Sequence, residues 1–313
     1  MQKYEPHYYI YTLSFTDEEQ ELCELEMRAL FGMQPTTNLL TTTRKINPSR
    51  SPFINERLGV LVTASSFHHL LEQLPVFKFE ESFKVTFIQN RSMKKTPYKE
   101  RREIEKRAGL LIKGRVHLQQ PDLLLAVMQV PEGWVFGIYH KAEPIWHRHQ
   151  DKPHHYSTAL STRVARALVN IAVPNPQGIK AIDPCCGIGT VLIEALSMGI
   201  DIVGSDINPL VLQQTRENIA HFDFNTEVTK LDIREVTGKY DVAIIDMPYN
   251  LCSVLSDTEK LEMLQSARNF SKTAVFVTIE QLNHVIEKAG FKVVDRCVVK
   301  KGKTFLREII MCN

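Results

Sequence analysis

The residues whose types and spacing suit chemistry are a glycine-containing loop and three aspartates downstream of it. The loop, residues 183–190 with the sequence DPCCGIGT, lies between a stretch typical of a strand and one typical of a helix. Open α/β sheets bind their ligands at such strand-to-helix turns. Gly187 and Gly189 allow the backbone to approach a ligand closely, and the Asp183 carboxylate can hold an ammonium group. The competing interpretation is a tight turn that binds nothing.

The three further aspartates fall at the ends of predicted strands. Asp206 ends the second strand, where a carboxylate can accept hydrogen bonds from both hydroxyls of a ribose. Asp232 is expected close to the end of the third strand, within reach of an adenine amine. The fourth strand ends in residues 246–249, with the sequence DMPY. We therefore expect Asp183, Asp206, Asp232 and Asp246 at the carboxyl edge of one sheet.

The second half of the chain has the alternation that would build this sheet. Short β-rich runs, each followed by a helical pattern, predict a parallel, doubly wound α/β sheet with helices on both faces. The runs are 179–183, 202–206, 242–246 and 274–279. Two more runs, 291–299 and 305–311, predict a closing antiparallel strand pair at the end of the sheet. No GxGxxG motif follows the first strand, which argues against a NAD-binding Rossmann domain.

With these residues, the second half resembles the class I S-adenosylmethionine-dependent methyltransferases, and more specifically those that methylate an exocyclic amine. In that family a D-P-x-C-G-x-G-T loop wraps the methionine end of the cofactor, an acidic residue like Asp206 holds the ribose, and a [DN]-P-P-[YFW] motif holds the acceptor base. The resemblance implies a Rossmann-like fold with S-adenosylmethionine as cofactor. The cofactor-binding residues that it implies are Asp183, Cys185, Gly187, Gly189, Thr190, Asp206 and Asp232.

The same resemblance gives residues 246–249 the catalytic role. Hydrogen bonds from the amine to the Asp246 carboxylate and the Pro248 carbonyl would hold the nitrogen in line with the methyl group, so that positioning and desolvation supply most of the catalysis. Tyr249 would stack on a base that is unpaired or flipped out. Met247 stands where the family pattern has proline, which predicts a looser acceptor loop or a lost activity. Because Asp246, Pro248 and Tyr249 are retained, we expect an active enzyme.

The first half of the chain holds a basic segment that the net charge of +2 conceals. Residues 84–115 contain eleven Lys and Arg against three Glu, and Pro97 is expected to open a helix within them that runs to about Lys113. The alternative interpretation is a solvated helix face that binds nothing. Arginine and Tyr98 in the same segment suit phosphate contact and base stacking, which predicts RNA or DNA binding. The candidate RNA-binding residues are Lys94, Lys95, Lys99, Arg101, Arg102, Lys106 and Arg107.

The first half also carries a second, looser resemblance. A strand, the basic helix, the phrase LQQPDLLL at 118–125 and a predicted hairpin ending in Gly-Ile-Tyr at 137–139 resemble a THUMP domain, an RNA-binding module of tRNA-modifying enzymes. The segment before it is similar to the ferredoxin-like domain that accompanies THUMP. The phrase HYSTAL at 155–160 is similar to the segment before the cofactor loop in THUMP-containing guanine-N2 methyltransferases. This last resemblance implies that Tyr156, Thr158 and Leu160 cover the methionine carboxylate of the cofactor.

These patterns predict four parts of the chain: a ferredoxin-like region at 1–50, a THUMP-like RNA-binding domain at 51–140, a linker at 141–157 and the methyltransferase domain at 158–313. The fold class is thus an α/β methyltransferase sheet preceded by an α+β RNA-binding region. Five histidines lie between 140 and 155, with two prolines and no sustained period. They lack partner carboxylates and helical spacing, so we expect solvated or phosphate-facing histidines and no metal site.

The predicted function is methyl transfer from S-adenosylmethionine to guanine N2 of a tRNA, with nucleotide 10 implied by the resemblance. Methylation of ribosomal RNA or of adenine N6 in DNA stays open, because the acceptor motif serves any exocyclic amine. A non-catalytic RNA-binding protein with a decayed acceptor motif is the alternative from another class. The six cysteines form neither a disulfide framework nor paired zinc ligands, and no signal peptide or membrane-spanning run is expected, which together predict a cytoplasmic protein.

Overall fold

The computed structural model describes residues 4–157, 159–248, 255–301 and 305–313. The chain divides into two compact units, the first made of Met1–Ser14 with Pro35–Glu143 and the second of Phe15–Gln34 with Pro144–Asn313. The segment 15–34, which holds helix α1 (Gln20–Phe31), therefore belongs to the second unit. This division differs from the expected boundaries, which assign the whole of 1–50 to a separate N-terminal region.

The first unit is built on a six-stranded sheet. Its strands are β1 (Tyr8–Leu13), β2 (Leu39–Thr42), β3 (Ile54–Ala64), β4 (Phe83–Ile88), β5 (Leu123–Val130) and β6 (Gly133–Lys141). Their order is β2-β1-β3-β6-β5-β4, and only the β4–β5 pair is parallel. Because β1 and β2 hydrogen-bond into the same sheet as β3–β6, residues 1–50 do not form a sheet of their own.

Two helices accompany this sheet, α2 (Phe67–Gln73) and α3 (Tyr98–Leu111). The inner face of α3 carries Ile104 and Ala108, which join the apolar cluster that contains Phe83 and Val85 of β4. The expected basic helix after Pro97 and the expected hairpin ending at residues 137–139 are confirmed. Their alternation and turn residues are local signals, which is why the sequence reports them well.

The second unit is built on a seven-stranded sheet. Its strands are β7 (Lys180–Asp183), β8 (Asp201–Asp206), β9 (Val228–Lys230), β10 (Tyr240–Asp246), β11 (Ser271–Thr278), β12 (Val293–Lys301) and β13 (Phe305–Cys312). The order is β12-β13-β11-β10-β7-β8-β9, with β7–β11 parallel and β13 antiparallel to both β11 and β12. The predicted parallel sheet with a closing antiparallel pair is confirmed.

Five more helices belong to the second unit: α4 (Thr162–Ala172), α5 (Thr190–Ser197), α6 (Pro209–Ala220), α7 (Asp257–Phe270) and α8 (Asn283–Lys288). Helix α4 precedes β7, and the other four each follow a strand, in the alternating manner of doubly wound folds. Of the described helices, none has both the length and the apolar composition that a membrane crossing needs.

Helix α1 packs within the second unit through polar contacts. The Arg28 guanidinium donates to both carboxylate oxygens of Asp295 on β12, at 2.7 and 3.0 Å. The buried Glu26 accepts a hydrogen bond of 2.6 Å from the Asn170 side chain on α4. Amphipathic patterning predicts the helix from sequence but not the surface that the helix covers.

The expected linker is also folded onto the second unit. Ile145–Asp151 form a 3-10 helix in which Trp146 and His149 are buried. His149 lies 2.7 Å from the Glu194 carboxylate on α5, and the backbone N–H of His154 donates to Asn218 on α6 at 2.8 Å. The prediction of solvated histidines is therefore wrong for His149. A 3-10 helix has no amphipathic period of 3.6 residues, so the pattern gave no sign of it.

Candidate active site

A cavity of about 400 Å³ lies at the carboxyl ends of the parallel strands of the second unit. Strands β7, β8 and β10 end at Asp183, Asp206 and Asp246, and all three residues line the cavity. Asp232, which precedes the 3-10 helix after β9, lines it as well. The structure thus brings together the four aspartates expected at one sheet edge.

The loop between β7 and α5 is held by hydrogen bonds to two of these aspartates. Asp183 accepts from the N–H of Cys185 at 3.2 Å, and Asp206 accepts from the N–H of Gly187 at 2.9 Å. Cys185, Gly187 and Thr190 line the cavity, whereas Gly189 does not. Gly189 adopts a φ of +80°, and a Cβ there would lie 2.8 Å from the Thr215 side chain, so its role is to shape the turn.

The clustered carboxyl groups make the cavity suited to a cation, and burial shifts their pKa values. It raises the pKa of Asp183 well above its ordinary value, against a backbone hydrogen bond from Cys185, and the carboxylates of Asp246 and Asp206 raise it further. Burial also raises the pKa of Asp246 to about 7, opposed by the positive charge of Arg307. A positively charged ligand between these groups would favour their ionised forms.

Two polar atoms at the cavity wall are left for a ligand. Asp246 Oδ1 and Thr190 Oγ1 are buried and have no hydrogen-bond partner among the residues that the structure describes. A buried polar atom without a partner costs roughly 1–3 kcal/mol. A ligand with matching donors would remove that cost, as a cofactor and an amine acceptor would.

The loop after β10, which is expected to hold the acceptor, is anchored through Met247. Its side chain is 4% exposed and packs in the apolar cluster of the second unit with Met263 and Phe270. Its N–H donates to the Val277 carbonyl on β11 at 2.9 Å. The expectation that methionine loosens this loop therefore finds no support at Met247. Pro248 is exposed and lines the cavity, while Tyr249 lies outside the described residues.

A further wall comes from the segment before α4. Tyr156, Ala159 and Leu160 line the cavity, with the Tyr156 side chain largely exposed and Leu160 buried. Thr158, the third residue expected here, lies outside the described residues.

Sequence reasoning missed several lining residues, among them Ile207, Asn208, Arg234 and Glu259. Asn208 caps α6 by accepting from the N–H of Leu210, and its N–H donates to Asp206 at 2.9 Å. Arg234 donates through its backbone and its guanidinium to Asp232, which lowers the pKa of that carboxyl. Two signals were available, the Asn-Pro dipeptide that starts α6 and the Ser256/Glu259 capping box that starts α7.

The candidate RNA-binding residues belong to the first unit, where they lie on α3 and in the segment just before it. Lys94, Lys95, Lys99, Arg102, Lys106 and Arg107 are exposed. Arg101 is half-buried, Arg102 pairs with Glu105, and the Arg107 guanidinium lies 5.2 Å from the centre of the Phe67 ring. The four lysines are thus the side chains most available to phosphate.

Comparison with known proteins identifies the second unit. Residues 149–304 match the model of the UPF0020 family, described as an RMKL-like methyltransferase domain. This segment is a methyltransferase domain of that family. The match spans the loop at 183–190 and all four aspartates of the cavity.

Curated relatives resemble the chain at modest identity. The tRNA (guanine(10)-N2)-dimethyltransferase of Methanothermobacter thermautotrophicus is 31% identical over 187 residues, which are 54% of this chain and 54% of that protein. The enzyme of the same name from Pyrococcus abyssi is 27% identical over 78% of this chain and 80% of that protein. The match to the first of these relatives thus covers about half of its length.

A solved structure supports the fold of both units. TrmN from Thermus thermophilus superposes with a TM-score of 0.50 over 98% of this chain and 100% of that chain, at 18% sequence identity. The methyltransferase domain therefore has a Rossmann-like class I sheet, as its strand order also indicates.

Proposed function

We propose that this protein is an S-adenosylmethionine-dependent tRNA methyltransferase that acts on the exocyclic N2 of a guanosine, with nucleotide 10 as its position. The observation that carries the proposal is the position of the Asp246 carboxylate at the tip of β10, in the same cavity as Asp183 and Asp206. Its Oδ1 is buried and has no hydrogen-bond partner among the described residues. The names of the relatives supply the substrate.

The cavity residues fit S-adenosylmethionine. When bound, this cofactor supplies an electrophilic methyl group on a sulfonium. Asp183 would hold its ammonium group, Asp206 its ribose hydroxyls and Asp232 its adenine amine, while the exposed Ile207 would pack on the adenine ring. A volume of about 400 Å³ suits a nucleoside-sized ligand, and the clustered carboxylates suit its positive charges.

The acceptor side follows from Asp246 and Pro248. The amine lone pair of guanine is delocalised into the ring, so catalysis depends on holding the nitrogen in position. Asp246 Oδ1 and the Pro248 carbonyl would each accept one amine hydrogen. Because burial raises the pKa of Asp246 to about 7, its carboxylate can also take up the proton that the amine releases.

The first unit would grip the RNA. We assign this role to the THUMP-like region and to the basic residues of α3 and the segment before it, Lys94, Lys95, Lys99, Arg101, Arg102, Lys106 and Arg107. The expected compartment is the cytoplasm, where tRNA substrates are present.

The test is transfer of radioactive methyl from S-adenosylmethionine to undermodified tRNA by the purified protein, followed by digestion to nucleosides. The expected product is N2-methylguanosine, and Asp246→Asn should reduce its formation at least about a hundredfold. Asp201→Asn is the matched control, because Asp201 is an exposed aspartate at the opposite end of the same sheet. Methyladenine in DNA, label in ribosomal RNA only, or full activity of Asp246→Asn would contradict the proposal.

A further inference from the structure

A second cavity, of about 610 Å³, lies beside the first within the second unit. The two share the wall formed by Tyr156, Ala159, Leu160 and Ile188. The second cavity is lined by Trp146, His147, Gln150, Lys152, His155 and Arg163, among others. None of its described lining residues is acidic, in contrast to the four aspartates of its neighbour.

Lys152 is the unusual member of this lining. The residue is 6% exposed, and its ammonium makes no ion pair or hydrogen bond with the residues that the structure describes. Burial lowers the pKa of Lys152, and the charge of Glu194 opposes this shift. Lysine is seldom this deeply buried without a partner, because the desolvated charge is costly.

Glu194 does not serve as that partner. Its carboxylate is fully buried and accepts from the Arg166 guanidinium at 2.8 Å, with the His149 ring at 2.7 Å. The Glu194 carboxylate is thus engaged by Arg166 and His149, and it forms no ion pair with the Lys152 ammonium. An anion in the cavity would pair with the Lys152 ammonium.

The rim adds aromatic and basic groups. The Trp146 ring stacks on the His147 ring with centroids 3.9 Å apart. The Arg163 guanidinium, which pairs with Glu19 at 2.6 Å, lies 5.5 Å from the centre of the Trp146 ring, so Lys152 is the cation that an anion would meet. His147 and His155 are exposed at the same cavity. Cationic groups together with flat rings are the side chains with which proteins hold phosphates and stack nucleotide bases.

We propose that this second cavity binds a backbone phosphate of the RNA substrate next to the acceptor nucleotide, with Lys152 as its buried cation. The inference rests on the proposed function for the identity of the RNA. The shared wall determines which phosphate is meant. If the base of a nucleotide enters the first cavity, the backbone of that nucleotide would lie next to the second cavity. The carboxylate of the methyl donor is another anion that could pair with Lys152, and the experiment distinguishes it from an RNA phosphate.

The primary test compares Lys152→Met with Lys288→Met, which removes an exposed lysine of the same domain that lines neither cavity. Filter binding to a tRNA transcript is measured over a range of salt, and S-adenosylmethionine binding is measured by calorimetry. We expect Lys152→Met to weaken tRNA binding about tenfold or more and to leave cofactor affinity unchanged. The slope of log affinity against log salt should fall by about one, as expected for the loss of one phosphate contact. Lys288→Met should change none of the three.

A second pair of variants guards against misfolding, because Gln150 is exposed. Gln150→Glu places a negative charge at the rim and should weaken tRNA binding at least threefold more than Gln177→Glu, an exposed control. Phosphate-ethylation interference with wild-type protein should reveal a phosphate beside the acceptor guanosine whose modification blocks binding, and Lys152→Met should lose that interference.

Unchanged tRNA binding in both Lys152→Met and Gln150→Glu overturns the inference, and so does a loss of cofactor affinity with tRNA binding intact, which would give the cavity to the donor carboxylate. If the wild-type protein binds no tRNA, the inference is overturned together with the proposed substrate. If it binds tRNA with the expected variant effects but transfers no methyl group, only the proposed function is overturned.

Discussion

The buried Asp246 carboxyl lowers the stability of the folded chain at neutral and alkaline pH. Burial raises its pKa from the ordinary 3.8 to about 7. Below about pH 4 the carboxyl is protonated in both the folded and the unfolded chain, so it does not lower the free energy of unfolding. Between about pH 4 and 7 the unfolded chain ionises first, and above pH 7 the folded chain must hold a buried charge.

Replacing Asp246 by asparagine should therefore stabilise the protein. Asp246→Asn is expected to raise Tm at pH 8, with a gain in unfolding free energy of a few kcal/mol at about 1.4 kcal/mol per pKa unit, and the gain should shrink towards pH 4. Thermal melts of both proteins across this range test it, with Asp201→Asn as control. A gain that is the same at all pH values would contradict the assignment of a raised pKa.

Met247 was expected from sequence to weaken the acceptor loop, but its environment argues for the reverse. Met247→Pro restores the family pattern yet removes the N–H that donates to Val277 and empties part of a packed cluster. We expect a loss of about 2–4 kcal/mol in unfolding free energy. Met247→Leu conserves volume and N–H and should cost less than about 1.5 kcal/mol. Denaturant unfolding compares them, and equal stability of the proline variant would show that this anchoring is unimportant.

At the scale of elements, local sequence patterns predict most of the strands and helices, whereas contacts between residues distant in sequence cannot be predicted from them. The strand-to-helix turns placed Asp183, Asp206 and Asp246 at one edge, because parallel strands end together. The 3-10 helix at 145–151 and the docking of α1 on β12 depend on partners distant in sequence, such as Glu194 and Asp295. No period or motif encodes such partners, so the buried Lys152 was read as part of a linker.

The pairing of β3 with β6 makes a prediction at this scale. Gly137 pairs beside Gly59, and a Cβ on Gly137 would lie 1.9 Å from the Gly59 carbonyl oxygen. Gly137→Ala should therefore force the strands apart and lower the stability of the first unit by several kcal/mol. Gly109→Ala on α3 is the matched control, since its Cβ would meet nothing closer than 3.8 Å and alanine favours helix by up to about 1 kcal/mol. Unfolding of the first unit followed by Trp134 fluorescence distinguishes them, and an undestabilised Gly137→Ala would contradict the close strand approach.

For the molecule as a whole, a net charge of +2 conceals two different electrostatic regions. The methyltransferase domain gathers carboxylates around one cavity, and the first unit exposes lysines on and before α3. Binding to RNA through such lysines releases counterions, so the affinity must fall with salt. The pairing of Arg102 with Glu105 and the half-buried Arg101 direct the test towards Lys95, Lys99 and Lys106.

Changing these three lysines to alanine should weaken tRNA binding and reduce the slope of log affinity against log salt by about two to three. The control changes Lys239, Lys288 and Lys292, exposed lysines of the second unit, and has the same net charge. If both triple variants lose affinity equally, RNA binding responds to total charge rather than to this helix. We expect only the variant of the first unit to lose affinity for tRNA, with its S-adenosylmethionine binding and its methylation of saturating tRNA unchanged. In that case α3 binds the RNA, and the cavity of the methyltransferase domain performs the chemistry independently of that binding.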